Sequence, residues 1–337
     1  MFKKITFALL TLGLSSNALA GAAGNPMLIP TGTPLIAWED ASFWSIGIEY
    51  LYVKASSPEY QYAQIMTDSA SSTTLSNETV DSAYHGNLEL DATYHFAGTD
   101  RDVTLAYVHA DMEDSNNSTI FAGQTFVEPF NLLPTRRDFI DQIKGESDQL
   151  YNGTDLVFGQ NMHIGKIFNI HPFGGLRYAD LDTRDNSTYY NNPTQTNHTQ
   201  ATAQISSHYE GLGPRAGMDL SAMILPNLTL VATLGGSLEF GYDNANIVTQ
   251  TTGNLPTTTT LDKSWYVVPE LDAKLGINYQ QELSASTSMD VQLGYQATNY
   301  FDATENDTQD IFNVNSQVSR QNFGFQGPYV RLQLNMA

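Results

Sequence analysis

The sequence predicts an all-β protein, a transmembrane antiparallel up-and-down β-barrel of about ten strands, within a range of eight to twelve. Three observations in the 337-residue chain predict this fold. The N-terminus has the features of an export signal. The strands are long and alternate apolar with polar residues. The connections between strands alternate between short and long, as periplasmic turns and extracellular loops do in outer-membrane barrels.

Residues 1–20 have the organisation of a secretory signal peptide. Lys3 and Lys4 precede an apolar run over 5–14, and the small residues of 18–20 provide a cleavage site. The apolar run is too short to span a bilayer as a helix. We therefore expect a cleaved signal peptide and a location in the cell outer membrane.

Residues 21–41 differ from the rest of the chain because they contain prolines and scattered apolar residues, such as Met27 and Trp38. This segment is either a periplasmic N-terminal tail or a plug inserted into the barrel. A tail is favoured because terminal segments are loosely held unless something ties them down. The barrel domain is then 42–337.

Residues 264–280 show the strand pattern most clearly. Apolar residues occupy every second position from Trp265 to Tyr279, and charged or amide residues fill most of the positions between them. Such alternation gives a strand one apolar and one polar face. Fourteen residue steps, tilted by about 45°, rise roughly 33 Å, enough to place both rings at opposite interfaces of an apolar band of about 25 Å. We expect Trp44, Tyr94, Trp265 and Tyr279 to belong to the aromatic girdles.

The same pattern recurs along the chain. The strand candidates are 43–54, 87–97, 101–110, 154–165, 171–181, 208–225, 228–242, 264–280, 287–301 and 321–336. The short connections are 98–100, 166–170, 226–227 and 281–286, and the long ones are 55–86, 111–153, 182–207, 243–263 and 302–320. Their strict alternation is unlike a soluble β-sandwich.

Composition excludes several classes of function. Without residues 1–20 the chain carries 13 basic and 36 acidic side chains, hence a net charge of −23. This charge makes nucleic acid a poor partner. The chain has no cysteine, so disulfides are excluded. The expected surroundings are outer-membrane lipid and lipopolysaccharide.

The alternation also assigns the residues that face the lumen. If the apolar positions face lipid, seven acidic and four basic side chains face inward, because a charge on the lipid face near mid-membrane costs on the order of 2–4 kcal/mol for Arg or Lys. These pore-lining candidates are Glu49, Glu89, Asp91, Arg177, Arg215, Asp219, Glu239, Glu270, Asp272, Lys274 and Arg331. They either line a water-filled channel that prefers cations, or they pair and fill a narrow barrel, since ten strands enclose little more room than eight.

The long connections offer weaker signals. Residues 134–144 could form a helical piece that folds into the mouth, although an exposed loop is the default in this architecture. Loop acids such as Asp180, Asp182 and Asp185 could bind divalent cations that bridge lipopolysaccharide, and we expect them instead to be solvated. They do not fit a calcium loop, because the turn glycine and the terminal glutamate are missing.

Signals for an enzyme are poor. The sequence 235–237 has Glu239 where a nucleophile elbow needs its second glycine. The histidines lack the spacing of a zinc protease. His85, His109 and His208 lie near predicted strand ends, so a hydrolase embedded in the barrel is the less favoured alternative. We expect no enzyme, no cofactor, no metal and no catalytic residue.

Seven stretches together resemble a known family. They are WSIGIEYLYV (44–53), DVTLAYVH (102–109), HPFGGLRYADL (171–181), GLGPRAGMDL (211–220), VVPELDAKLG (267–276), LGYQATNYF (293–301) and NFGFQGPYVRLQL (322–334). In order and spacing they resemble the Legionella-type outer-membrane porin family, which implies a pore-forming β-barrel. The disulfide-linked assembly that the resemblance implies for the family's major protein cannot carry over to a chain without cysteine. The C-terminus also departs from the pattern of outer-membrane barrels, because it ends in Met336-Ala337 and not in an aromatic residue.

We therefore expect a porin-like outer-membrane barrel for passive diffusion of small cationic or neutral solutes. The alternative is a closed structural or adhesive barrel that acts through its surface loops. Whether the chain forms a homo-oligomer is left open, because lipid-facing and subunit-facing surfaces are both apolar in such a barrel.

Overall fold

The computed structural model describes residues 42–57, 59–69, 72–121, 124–127, 140–165, 167–191, 198–251, 255–260, 263–307 and 318–337. Within these ranges the chain forms β-strands and no helix. The strands are β1 (Phe43–Ala55), β2 (Gln61–Ser69), β3 (Ser72–Thr79), β4 (His85–His95), β5 (Arg101–Thr119), β6 (Gln124–Val127), β7 (Gln142–Gln160), β8 (Met162–Ile164), β9 (Phe168–Asn191), β10 (His198–Leu225), β11 (Leu228–Thr251), β12 (Thr257–Thr260), β13 (Ser264–Ser284), β14 (Thr287–Asp307) and β15 (Val318–Met336).

Ten of these strands form a closed antiparallel barrel. In chain order β1, β4, β5, β7, β9, β10, β11, β13, β14 and β15 each pair with the next, and β15 pairs back with β1. In the closing pair, Trp44 lies opposite Met336 and Glu49 lies opposite Arg331. The short strands β8 and β12 extend the sheet beside β9 and β11. The predicted up-and-down barrel of about ten strands is confirmed.

The outer wall of the barrel is apolar. Side chains such as Ile46, Leu234 and Leu271 point outward and are about half exposed, while their neighbours along each strand point inward. Because successive side chains of a strand alternate between faces, every strand contributes to the same outer surface. In a membrane this surface contacts lipid tails, which makes the ten-strand wall the membrane-spanning part.

Aromatic residues lie at both ends of this apolar wall. At the end with the chain termini and short turns, the rings of Trp44 and Tyr94 are 5.0 Å apart, and Tyr279 pairs with the first residue of β11. At the opposite end, the ring of Trp265 lies 5.3 Å from that of Tyr242. In outer-membrane barrels the short turns are periplasmic. The first group is therefore the periplasmic aromatic girdle, and the second group is the extracellular one.

Most strands are longer than the sequence predicts. Strand β5 runs to Thr119 and β7 begins at Gln142, so much of the predicted loop 111–153 is strand. Strands β9, β10 and β11 contain 24, 28 and 24 residues and run through most of two further predicted loops. A membrane needs only about 9–11 residues of strand, so the remainder extends into the extracellular space. Both faces of these extensions are rich in polar residues, which hides the alternation on which the prediction depends.

A small separate sheet lies against the inner face of these extensions. Strand β2 pairs with β3 and β6, and its side chains pack against β7 and β9. Tyr62 is fully buried and its hydroxyl lies 2.6 Å from the Ser118 hydroxyl, while the Tyr60 hydroxyl lies 2.7 Å from that of Ser187. We call this sheet the extracellular cap. It is formed by the predicted loops 55–86 and 111–153.

Some predictions fall outside the described residues. These are the signal peptide at 1–20, the segment 21–41, and residues 134–139 of the helical piece. The described end of the helical piece, 142–144, belongs to strand β7. Among the described residues, none forms a helix of the length and hydropathy that a membrane-spanning helix needs.

Candidate functional site: a charged chamber in the lumen

The barrel encloses a chamber of about 250 Å³ in the half nearer the short turns. Inward positions of every barrel strand contribute to its wall, because alternation brings each second side chain into the lumen. The charged groups in the wall include eight carboxylates and four Arg or Lys side chains. They are Glu49, Glu89, Asp91, Asp102, Asp155, Asp219, Asp272 and Asp290, with Arg177, Arg215, Lys274 and Arg331.

Two arginines share three carboxylates on one side of the chamber. Arg177 binds Asp155 through two nitrogens, each 2.6 Å from a carboxylate oxygen, and reaches Glu270 at 2.6 Å. Arg215 binds Asp272 at 2.5 Å and contacts Asp155 at 3.2 Å. The bidentate contact with Asp155 fixes the orientation of the Arg177 guanidinium plane. We call these five residues the arginine cluster.

A second group of ion pairs lies across the chamber on β1, β4, β13 and β15. The Lys274 ammonium is 2.9 Å from Glu49 and 2.7 Å from Glu89. Arg331 lies 2.8 Å from Asp91 and 3.8 Å from Glu49. The shared Glu49 joins the two bases, so four strands are connected through side chains as well as through their backbones.

A histidine lies between two carboxylates near the inner end of the chamber. The Nε2 atom of His171 is 2.9 Å from Asp102, and its Nδ1 atom is 2.9 Å from Asp219. The other oxygen of Asp219 accepts a hydrogen bond of 2.7 Å from the Thr233 hydroxyl. Both ring nitrogens are therefore held, and the imidazole connects strand β9 to β5 and to β10.

An aromatic layer closes the lumen on the extracellular side of the chamber. It consists of Tyr151, Tyr300, Phe323 and Phe325, which are 0–2% exposed. The Tyr151 and Tyr300 hydroxyls are 2.9 Å apart, and the rings of Tyr151 and Phe325 are 5.3 Å apart. Apolar side chains such as Leu51 complete the layer. The chamber is thus separated from the extracellular cap by a packed cluster of side chains, which on β1 extends over the three inward positions Leu51, Val53 and Ala55.

The structure places all eleven lumen candidates on the inward face. Nine of them line the chamber, whereas Glu239 and Glu270 are buried behind it at 0% and 1% exposure. The Ser237 hydroxyl is within hydrogen-bond distance of both, at 2.8 Å and 2.9 Å. Most of the nine are engaged in the ion pairs described above, so their charges are compensated and not simply exposed to water.

Several residues of the chamber were missed by the sequence analysis. Asp102, Asp155 and His171 belong to predicted strands, and each stands on the same alternating face as inward neighbours. That alternation could have identified them. Their partners could not be identified, because pairs such as His171 with Asp102 join residues 69 positions apart.

The three histidines considered for a hydrolase lie in separate surroundings. His85 contacts Asp114 at 3.0 Å. His109 is on the outer face and lies 2.9 Å from Asn152. His208 is also on the outer face, but it lies on β10, three strands away from β5, the strand that carries His109. The described residues therefore do not bring these histidines to one site.

Comparison with known proteins identifies the family. The model of the family described as Legionella pneumophila major outer membrane protein precursor matches residues 38–336. The chain belongs to this family. The matched range includes all ten strands of the barrel described above. The resemblance expected from the sequence is therefore confirmed, and the chain is an outer-membrane protein. No curated protein matches the chain.

The chain is also similar to several solved structures, all at low sequence identity. The outer membrane protease OmpT from Escherichia coli has a TM-score of 0.45 and 8% identity, over 87% of this chain and 96% of that chain. The toluene transporter TodX of Pseudomonas putida has a TM-score of 0.30 and 6% identity, over 88% of this chain and 90% of that chain. A FadL homologue from Pseudomonas aeruginosa has a TM-score of 0.29 and 9% identity, over 92% of this chain and 95% of that chain. Identities this low carry no information about activity.

Proposed function

We propose that the protein is a narrow outer-membrane pore for passive diffusion of small cationic or neutral solutes. The observation that carries the proposal is the charged chamber of about 250 Å³ inside the lumen. The protein needs no cofactor for this role and acts as a channel, not as an enzyme. Residues 1–20 direct export and are removed, and the apolar wall contacts outer-membrane lipid and lipopolysaccharide.

The charge of the chamber supports a preference for cations. Eight carboxylates face four Arg or Lys side chains in its wall. Even with His171 protonated between its two aspartates, acidic groups remain in excess. Rings of acidic side chains favour cations over anions in a pore of low dielectric.

The aromatic layer is the constriction of the proposed pore. The packed cluster that contains Tyr151 and Tyr300 separates the chamber from the extracellular side. A solute passes only when these side chains change rotamer, so the structure corresponds to the closed state of the channel. Packed layers of this kind gate pores by excluding water.

A second function is supported by the same layer. Its aromatic side chains are 0–2% exposed and the cap covers the inner face above it. A barrel that never opens would act through its surface loops, as a structural or adhesive protein. The two functions differ in whether ions cross the folded protein.

Single-channel conductance in planar bilayers, with a salt gradient, tests the proposal. The wild type is compared with a Glu89→Gln/Asp219→Asn variant, which neutralises two chamber acids. The matched control is Glu282→Gln, an exposed residue near the end of β13. We expect discrete openings with a cation-selective reversal potential in the wild type and control, and a reversal potential nearer zero in the double variant.

Two other outcomes would count against the proposal. A conducting double variant with unchanged selectivity would show that these acids do not line the path. A folded wild type that never conducts, alongside a Tyr151→Ala variant that does, would show that the barrel is closed in its native form. Heat-modifiable migration on gels establishes that each variant is folded before conductance is measured.

A further inference from the structure

A second group of functional side chains lies on the outer face of the barrel, away from the lumen. Asp180 and Asp182 on β9 are neighbours of His208 on β10, and His208 stands directly opposite Asp182 in the strand register. Alternation gives them the same face as the outward Tyr178, just beyond the extracellular end of the apolar wall. One ligand atom from each of the three lies within 4.8 Å of the others.

The separations within this group match those around a metal ion. The Nδ1 atom of His208 lies 3.5 Å from Asp180 Oδ1 and 3.4 Å from Asp182 Oδ2. These separations are longer than ordinary hydrogen bonds, which are about 2.9 Å. A tetrahedral zinc ion with ligands at about 2.1 Å holds its ligand atoms about 3.4 Å apart. The three side chains therefore stand close to coordinating positions.

The other nitrogen of the histidine meets a third carboxylate. His208 Nε2 lies 3.8 Å from Glu210 Oε1. Glu210 is itself held by the hydroxyls of Tyr242 at 2.6 Å and Tyr178 at 3.3 Å. Metal-binding histidines commonly donate their second ring N–H to a carboxylate, which fixes the tautomer and the ring orientation. At 3.8 Å the contact is longer than a hydrogen bond, so Glu210 lies near the position of such a partner and leaves Nδ1 to face the two aspartates.

The charge of the group also favours a cation. In the described part of the chain, the ion pairs of these three carboxylates are all with His208. Three carboxylates therefore lie side by side around one imidazole, and a dication would offset their like charges. The ligands are about 28–45% exposed, so ions in the medium can reach them.

We propose that Asp180, Asp182 and His208 form a binding site for a divalent transition-metal ion of the Zn²⁺ type, with Glu210 as the positioning residue for the histidine. The site differs from a patch of acids because it includes an imidazole nitrogen with its own supporting carboxylate. Mixed nitrogen and oxygen ligands suit zinc-like ions, whereas calcium and magnesium take oxygen ligands alone.

Isothermal titration of the untagged, refolded full-length protein in detergent with ZnCl₂ tests this site. We expect one zinc ion per chain, and at least tenfold weaker binding in Asp182→Asn and in His208→Ala. Loss of the supporting carboxylate in Glu210→Gln should weaken binding by about 10–100-fold. His109→Ala is the matched control, because His109 is another outward histidine on a barrel strand, and it should bind zinc as the wild type does.

Changing the ion completes the test. The proposal is overturned if the wild type binds no zinc, or if His208→Ala binds it as tightly as the wild type. Equal binding of calcium and zinc, independent of His208, would show a nonspecific acidic surface. Conductance is not involved, so these results are separate from the test of the pore.

Discussion

The arginine cluster should dominate the stability of the barrel interior. Arg177 is 7% exposed at its side chain and contacts Asp155, Glu270 and Asp272. An Arg177→Met substitution leaves one arginine, Arg215, to face three carboxylates, and its contacts with Asp155 and Glu270 are long, at 3.2 Å and 3.3 Å. Removing one partner from a buried ion pair costs about 3–5 kcal/mol. We expect a loss of that size in the free energy of unfolding.

The measurement is urea unfolding of the refolded barrel in lipid vesicles, followed by tryptophan fluorescence. Arg101→Met is the matched control, because Arg101 is exposed at the start of β5 and its loss should change stability by no more than about 0.5 kcal/mol. Adding Glu270→Gln to Arg177→Met should recover part of the loss, since one uncompensated charge is then removed. A loss below about 1 kcal/mol for Arg177→Met, equal to that of the control, would refute the reasoning and show that water screens the cluster.

Three further predictions concern the cap, one short turn and the extracellular extension of β9. A Cβ atom at Gly145 would lie 2.3 Å from the Tyr62 ring, so Gly145→Ala should displace the cap, at a cost of about 1–3 kcal/mol, and speed its cleavage in limited proteolysis while the barrel stays heat-modifiable. Gly98 has a φ of +63° in a short turn, so Gly98→Ala should lower the free energy of unfolding in urea by about 1 kcal/mol. Burial raises the pKa of the Asp185 carboxyl, in the extracellular extension of β9, to about 6, although Ser147 donates it a hydrogen bond. Because the folded pKa is above the unfolded one, stability should fall as the pH rises from about 4 to 6, and this fall should be smaller in Asp185→Asn when unfolding is measured across that range.

Strand positions within the membrane were predictable because one physical requirement controls them. A strand between lipid and lumen must alternate, so β1, β13 and β15 begin or end within about three residues of their predicted limits. The extracellular extensions lack this requirement, since both faces meet water or the cap. The strands still pair there, with Asn117 of β5 opposite Lys144 of β7 for example, but no sequence period marks them.

The lumen was predictable in its composition and not in its arrangement. Alternation is a local property, so it placed Glu49, Arg177 and the other candidates on the inward face. Pairing depends on the register between strands and on the barrel's closure. Lys274 reaches Glu49 across 225 residues of sequence, and the Tyr151–Tyr300 contact spans 149. Nothing in a single sequence fixes such separations, so the aromatic layer was not foreseen.

The number of strands explains why a chamber and a closed layer occur in the same lumen. Eight strands enclose just enough room for side chains, and barrels of sixteen or more leave an aqueous channel. With ten strands the lumen can hold a chamber of about 250 Å³ only where its side chains pair along the wall. On the extracellular side of the chamber, aromatic and other apolar side chains are large enough to fill the lumen. In the proposed pore, the passage of solutes therefore depends on the packed cluster around Tyr151 and Tyr300 and not on the width of the barrel. This is why substitution at Tyr151 separates the two proposed functions more sharply than any change among the chamber's charges.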